Sequence, residues 1–455
     1  GTHFPDAARR GGFDVIVGNP PWVRLHRIPA SARAALRARF ACFRGAAWAR
    51  GAEAARAGAG FAAQVDLAAL FTERALALLR EEGTLALILP MKLWRSLAGG
   101  GLRRQLHEHA RVLALEDWSD APAAFDAAVY PSLLVARRAA PDAPVPCVAV
   151  AVHRAGQAIG WHAERRRLAL DDDPASPWLP LPPPARGAFD RLARAGVPLA
   201  ESAFGPPLLG VKCGCNEAFV VEWEGGDDVL ARVRSGSRTG VLERALLRPL
   251  IRGERVAPWH PAGDAEWLLY PHDDAGAPLR ALPPYAARWL GRWRARLRAR
   301  ADARSTGRWW SLFRTAGAAA GRARVVWADV GRAPRALVLP AGDCTVALNS
   351  CYVLPCADGG DALALAALLN SPLAAAWLGA LAEPARGGYR RFLAWTVALL
   401  PIPRDWPYAR AALLPLAERA IRGDAPSELE LLEGAMRAYR LRAVDVEALL
   451  AWHAR

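Results

Sequence analysis

The chain has 455 residues, 53% of them hydrophobic, enough apolar material for two or three cores, which excludes a disordered or fibrous polypeptide. Its formal net charge of +15 draws it towards polyanions, making nucleic acid the leading partner class. Seven scattered cysteines argue against a secreted disulfide scaffold, and apolar runs broken by Arg, Pro or Glu offer no membrane span, so a soluble protein of the reducing cytoplasm is expected.

Phe13-Asp14-Val15-Ile16-Val17-Gly18 reads as a buried parallel strand feeding a loop, Asn19-Pro20-Pro21-Trp22. From Asp66 to Arg80, apolar residues Leu67, Leu70, Phe71, Ala75, Leu78 and Leu79 recur at helical spacing, with Gly83 placed to cap the helix. Thr84 to Leu89 reads as a second buried strand ended by Pro90, completing a βαβ unit. A helix at 102–109 and strands near 112–115 and 132–136 continue the alternation of a doubly wound α/β sheet. Three aspartates and the Pro-rich run Pro180 to Pro184 then predict an extended linker over 171–186. Beyond it, short apolar runs alternate with turns from Leu208 to Pro355, and 363–381 and 427–452 look helical, as in a mixed α/β domain. The expected divisions are 1–140, a connecting and linker region 141–195, and 196–455.

The Asn-Pro-Pro-Trp loop carries the clearest chemistry. An exocyclic base amine is a poor nucleophile because its lone pair is delocalised into the ring. The Asn19 side-chain oxygen and the Pro20 carbonyl can accept the two amine protons and localise that pair. Pro20 and Pro21 stiffen the loop, and Trp22 offers a flat face for a base rotated out of the duplex. The plain alternative is an ordinary turn, since Asn and Pro punctuate many chains. A position at the carboxyl end of a parallel strand, where α/β sheets bind ligands, favours the chemical reading.

With this loop, Asp66 and its helix, Gly83 to Pro90 with Lys92, and Phe125 to Val135, the sequence resembles the large adenine-N6 DNA methyltransferases of type IIG restriction-modification and phage-exclusion systems. Gly210 to Phe219, Leu247 to Val256, Val325 to Trp327, Leu369 to Ser371 and Leu400 to Pro403 are similar, in order, to landmarks of that family's target-recognition domain. The resemblance implies S-adenosyl-L-methionine as cofactor, duplex DNA as partner, Asn19, Pro20, Pro21 and Trp22 as catalytic residues, and a restriction or phage-defence setting. It also implies a glycine-rich cofactor turn that in this subfamily precedes the catalytic loop. No such turn is found here, so the expected fold is a partial, Rossmann-like methyltransferase domain lacking its first half, followed by a mixed α/β target-recognition domain. A separate amino-terminal half or subunit would then supply the cofactor site, and the Phe13 strand would be an exposed edge.

Candidate DNA contacts are Asn216, Arg252 and Arg255, joined by Tyr389 and Arg390 in a glycine-containing basic loop that reads equally as a surface turn. Arg292 to Arg300, with Trp289 and Trp293, reads either as a phosphate-following basic helix or as a solvated face. The spacing of Cys213 and Cys215 lacks the paired pattern of a zinc domain, and no metal is expected. Two competing functions stay open: a non-catalytic DNA-binding specificity fragment, and a methylase of RNA or of protein glutamine.

Overall fold

The computed structural model describes residues 3–24, 28–45, 47–54, 65–121, 130–139, 147–154, 156–263, 266–300, 303, 307–385 and 387–454. Strand β1 (Phe13–Gly18) runs parallel to β2 (Leu79–Pro90), with Gly18 opposite Leu87. Between them, helix α1 (Leu67–Leu78) starts at Asp66, whose carboxylate accepts the Ala68 N–H, and buries Ala68, Leu70, Ala75 and Leu76. This is the expected βαβ unit. Leu85, Leu87 and Leu89 of β2 are fully buried, each such side chain contributing ~1.5–3 kcal/mol.

Gly83 does not cap α1. The chain is already extended at Leu79, and Gly83 sits inside β2 at a shift in register against β1. A Cβ at that position would stand 2.8 Å from the Phe13 carbonyl oxygen, so close approach of two strands, not a helix end, requires the glycine.

Helices α2 (Lys92–Arg95) and α3 (Gly100–His109) lead to β3 (Ala110–Asp120), β4 (Pro131–Arg138), β5 (Val148–Arg154) and β6 (Gln157–Ala163). The strand order is β1-β2-β4-β3-β5-β6. Since β4 is antiparallel to both β2 and β3, and β3 is parallel to β5, the carboxyl ends of β1, β2, β3 and β5 share one edge of a mixed sheet. β1 closes one side, paired only with β2 among the described residues. Its Val15 and Val17 are 58% and 74% exposed, so it is an edge and not a buried strand.

The Pro-rich segment is not a linker. Trp178 is buried, stacks on Trp94 at 5.0 Å between ring centres, and donates its N–H to the Trp94 carbonyl at 2.8 Å. Leu179 and Leu181 are also buried, and helix α4 (Pro183–Ala195) begins within the proline run. Arg103, fully buried, donates to the carbonyls of Leu93, Trp94, Ser96 and Ala175, fastening the segment to α2 and α3. Composition announces extended chain, but two facing indoles and a buried guanidinium decide the outcome.

The chain divides into two units. Gly1–Arg194 forms the first, joined by Ala376–Arg391 and Val444–Arg455, which sequence places with the second. These returning segments are held by packing: Trp377 stacks on Phe189, Trp452 meets Trp161 edge-on, and Arg95 donates to the Ala380 and Ala382 carbonyls.

The second unit, Ala195–Ala375 with Phe392–Ala443, is mixed α/β. After helix α5 (Asn216–Phe219), strands β7 (Val220–Gly226), β8 (Leu230–Ser235), β9 (Arg238–Glu243), β10 (Leu247–Ile251) and β11 (Glu266–Leu269) join Val346–Ala347 in a six-stranded sheet. Helices α6 (Pro284–Gly291) and α7 (Arg294–Arg298) pack Trp289, Leu290, Trp293 and Leu297 into its core. Val325, Val326 and Trp327 lie buried in the middle strand of a second sheet. No single described helix is long and apolar enough to cross a membrane.

Two predictions follow from this packing. Trp178→Ala is expected to destabilise the first unit by about 3–5 kcal/mol in a denaturant titration, as for a buried indole; a cost below ~1 kcal/mol would restore the linker. In the second unit, buried His272 donates Nδ1–H to the Gly276 carbonyl (2.9 Å) and accepts the Leu312 N–H at Nε2 (2.8 Å), and burial pushes its pKa below the ordinary 6.5. The folded state therefore binds this proton less readily than the unfolded chain, and its stabilisation is lost as pH falls through about 6.5. Unfolding midpoints should drop from pH 7 to pH 5, and a His272→Gln variant should show a shallower drop.

Candidate active site and nucleic-acid contacts

Asn19 follows directly on Gly18, so the parallel pairing of β1 with β2 sets the Asn19–Trp22 loop at the carboxyl-end edge of the sheet. The Asn19 side chain is exposed and has no hydrogen-bond partner among the described residues, leaving its amide oxygen free to accept. Pro20 is buried and Pro21 exposed. Trp22 is half-buried against the first unit's core, and its Nε1–H is buried without a partner. One face of the indole is therefore structural, and the ring is fixed in place by the core. The loop holds an unused acceptor beside a fixed aromatic ring.

The loop is anchored downstream. The Leu67 N–H donates to the Val23 carbonyl at 3.0 Å, and Arg24 pairs with Asp66 in an isolated antiparallel backbone β-bridge. Asp66, 1% exposed, caps α1 and receives the Lys92 ammonium at 2.6 Å. Lys92 enters just after β2, so one ion pair ties the loop's exit, the start of α1 and the end of β2 together. Sequence reading marks both residues as parts of a resemblance but misses the pair. The available signal is that each stands just beyond an element terminating at the same sheet edge.

Glu383 belongs to the hairpin of Glu383–Ala385 and Tyr389–Arg391. Burial pushes its carboxyl above the ordinary value, against the opposing pull of Arg391, Lys92, Arg24 and Arg103. Arg24, just after the loop, and Lys92 are thus close enough to Glu383 to act on its charge.

The expected DNA contacts are divided between the two units. Asn216 is exposed at the start of α5 in the second unit. Arg252 and Arg255, also there, both turn to Glu266, at 3.1 and 3.5 Å. Tyr389 and Arg390 belong to the first unit. Tyr389 is 41% exposed, whereas Arg390 is held by Asp120 at 3.1 Å, at the carboxyl end of β3. The glycine loop is the turn of an ordered hairpin, with Gly387 and Gly388 at positive φ. Asn370 serves structure, since its amide both accepts from and donates to the Ala336 backbone. Arg300 does too, donating to the carbonyls of Cys213, Leu297, Trp309 and Ser311. The Phe125 end of the resembling block lies outside the described residues.

Residues 1–125 match the Eco57I restriction-modification methylase family. That match spans β1, the Asn-Pro-Pro-Trp loop, the Asp66–Lys92 pair and β3. The chain is 26% identical over 437 residues to the type II methyltransferase M.PaeR7I of Pseudomonas aeruginosa, covering 92% of this chain and 69% of that protein. It is 25% identical over 441 residues to the type II methyltransferase M.XhoI of Xanthomonas vasicola, covering 90% and 72%. Its fold is similar to that of the type IIL restriction-modification enzyme MmeI, solved in complex with DNA, with a TM-score of 0.55 at 13% identity, over 97% of this chain and 57% of that one. The mixed α/β fold is therefore shared with restriction-modification enzymes, and the chain spans little more than half of that solved structure.

Asp66→Ala removes a helix cap and leaves the Lys92 ammonium unpaired, and is expected to cost on the order of 2–3 kcal/mol. Lys92→Met should cost at least as much, because it leaves the Asp66 carboxylate buried without its counter-charge. A double variant no less stable than Asp66→Ala alone, in thermal unfolding, would show the coupling; additive losses would show that the two act separately.

Proposed function

We propose that this chain forms part of an S-adenosyl-L-methionine-dependent DNA methyltransferase acting on adenine N6 in duplex DNA, within a restriction-modification or phage-defence system. The observation that carries the reading is the unpartnered Asn19 amide at the carboxyl end of a parallel strand, inside the segment that matches the methylase family. The relatives' type II methyltransferase activity, and the DNA bound to MmeI, support the same partner and chemistry.

In this reading Asn19 Oδ1 and the Pro20 carbonyl accept the two protons of the target amine, raising the nucleophilicity of the nitrogen. Trp22, fixed against the core, presents its open face to the rotated-out base. The Asp66–Lys92 pair holds the loop's exit and so the angle at which Asn19 meets the amine. The first unit's sheet is the carboxy-terminal portion of a doubly wound methyltransferase domain, with Tyr389 and Arg390 as its candidate DNA contacts, and the second unit is the target-recognition domain, with Asn216, Arg252 and Arg255 as its own.

S-adenosyl-L-methionine supplies the methyl group when bound, and no glycine-rich strand-turn that would hold it is found in this sequence. Two cavities among the described residues of the first unit are lined by residues such as His107, Arg165 and Trp178, or Glu73, Arg80 and His109, and neither takes in a residue of the Asn-Pro-Pro-Trp loop. Beside the loop lies the open edge of β1 instead. We assign the cofactor site to a further segment or subunit that pairs with this edge. The same edge favours a second reading, a DNA-specificity module without catalysis.

The deciding experiment incubates the chain, alone and as the product of its complete reading frame, with labelled S-adenosyl-L-methionine and mixed-sequence duplex DNA, and maps the modified bases. N6-methyladenine is expected from the complete product, with Asn19→Ala lowering the single-turnover rate on the order of 10²–10³-fold. DNA binding without label transfer would establish the specificity module, and label on RNA or glutamine would replace the substrate.

A further inference from the structure

The basic stretch between Pro284 and Arg300 is two helices with different duties for its arginines. Arg300 is spent on backbone carbonyls, and Arg296 pairs with Glu217. Arg238, Arg288, Arg292, Arg294 and Arg298 are exposed. None of the five has a carboxylate partner among the described residues. Nearby acids are engaged elsewhere: Glu217 by Arg296, Glu243 by the Tyr285 and Ala286 N–H groups at the start of α6, and Glu222 and Glu224 by Arg234.

Three of these guanidiniums are also held in position. Arg238 lies over the Trp293 ring at 4.8 Å, Arg292 over Trp289 at 4.8 Å, and Arg294 over Trp309 at 5.5 Å. Arg292 further donates to the Thr239 carbonyl at 3.1 Å, joining the end of α6 to β9. Trp289 and Trp293 are core residues, so their outer edges form a rigid seat for cations facing water. A solvated charge run has freely moving side chains and neighbouring acids; here three of the side chains pack on indole rings and the neighbouring acids are occupied.

We propose that Arg238 and the exposed arginines of α6 and α7 form a strip that tracks the phosphate backbone of duplex DNA, supplying sequence-independent affinity. The inference rests on the DNA-methyltransferase reading for its choice of polyanion. Arginines held with low rotamer freedom lose little entropy on meeting phosphates, and each neutralised phosphate releases counterion.

The test measures binding of a labelled duplex by the full-length product as a function of salt. A variant carrying Arg288→Gln, Arg292→Gln, Arg294→Gln and Arg298→Gln is compared with the fourfold Arg→Lys variant, with thermal unfolding as a folding check. The slope of log K against log salt should fall in magnitude by about 2–4 in the Gln variant, with affinity at low salt lowered at least about tenfold. The Lys variant should keep most of the slope, and Asn19→Ala should keep all of it while losing methyl transfer. A Gln variant with the wild-type slope, in a wild type that binds and methylates DNA, would overturn the strip alone. Strip-dependent binding that favours an RNA duplex over DNA would overturn the partner. A wild type showing neither salt-dependent DNA binding nor methyl transfer would remove the methyltransferase reading and the strip with it.

Discussion

The parallel seating of β1 on β2 is the constraint from which the candidate site follows. Gly18 opposite Leu87 fixes where β1 stops, and hence where Asn19 stands, while Leu85, Leu87 and Leu89 hold β2 rigid in the core. A slip of one residue would reverse which side chains face that core and carry the Asn-Pro-Pro-Trp loop away from the sheet edge. Gly83 admits the close approach of β1, and the Asp66–Lys92 pair closes the loop's far end. Backbone pairing sets the entrance to the loop and electrostatics sets its exit.

The sheet explains why that edge is chemically crowded. Inserting antiparallel β4 between β2 and β3 leaves four strand ends pointing the same way, so Asn19, Lys92, Asp120 and Arg154 arrive there from distant parts of the chain. Arg154 and Arg390 both turn to Asp120, and the buried Arg95 turns to Asp117. Ion pairs of this kind spend arginines on architecture. The 59 basic residues therefore overstate the free cationic surface, whereas Arg238, Arg292 and Arg294 sit on aromatic rings with no carboxylate partner among the described residues.

What sequence makes legible here is local. The βαβ unit, the helix around 102–109 and the strands around 112 and 132 follow from periodicity, because each is decided by neighbours a few residues away. The Asn-Pro-Pro-Trp loop is legible because its residue types and its place after a strand both matter. The Pro-rich segment misleads because Trp178 meets Trp94 across more than eighty residues, and composition carries no trace of that partner. Arg390 looks free for the same reason: its acid, Asp120, lies 270 residues away. The pairing of Asp66 with Lys92 is hidden in the same manner. Gly83 misleads differently, since a helix end and a close strand contact both call for glycine.

The return of Ala376–Arg391 and Val444–Arg455 to the first unit bears on how the second unit could be exchanged between related chains. A recombination event that grafts a foreign cassette after residue 194 would also replace the hairpin holding Arg390 and the helix presenting Trp452, both of which complete the recipient's own framework. Clean exchange instead needs junctions at each of the four crossings, near 194, 375, 391 and 443. Single-crossover chimaeras would therefore inherit a mismatched framework.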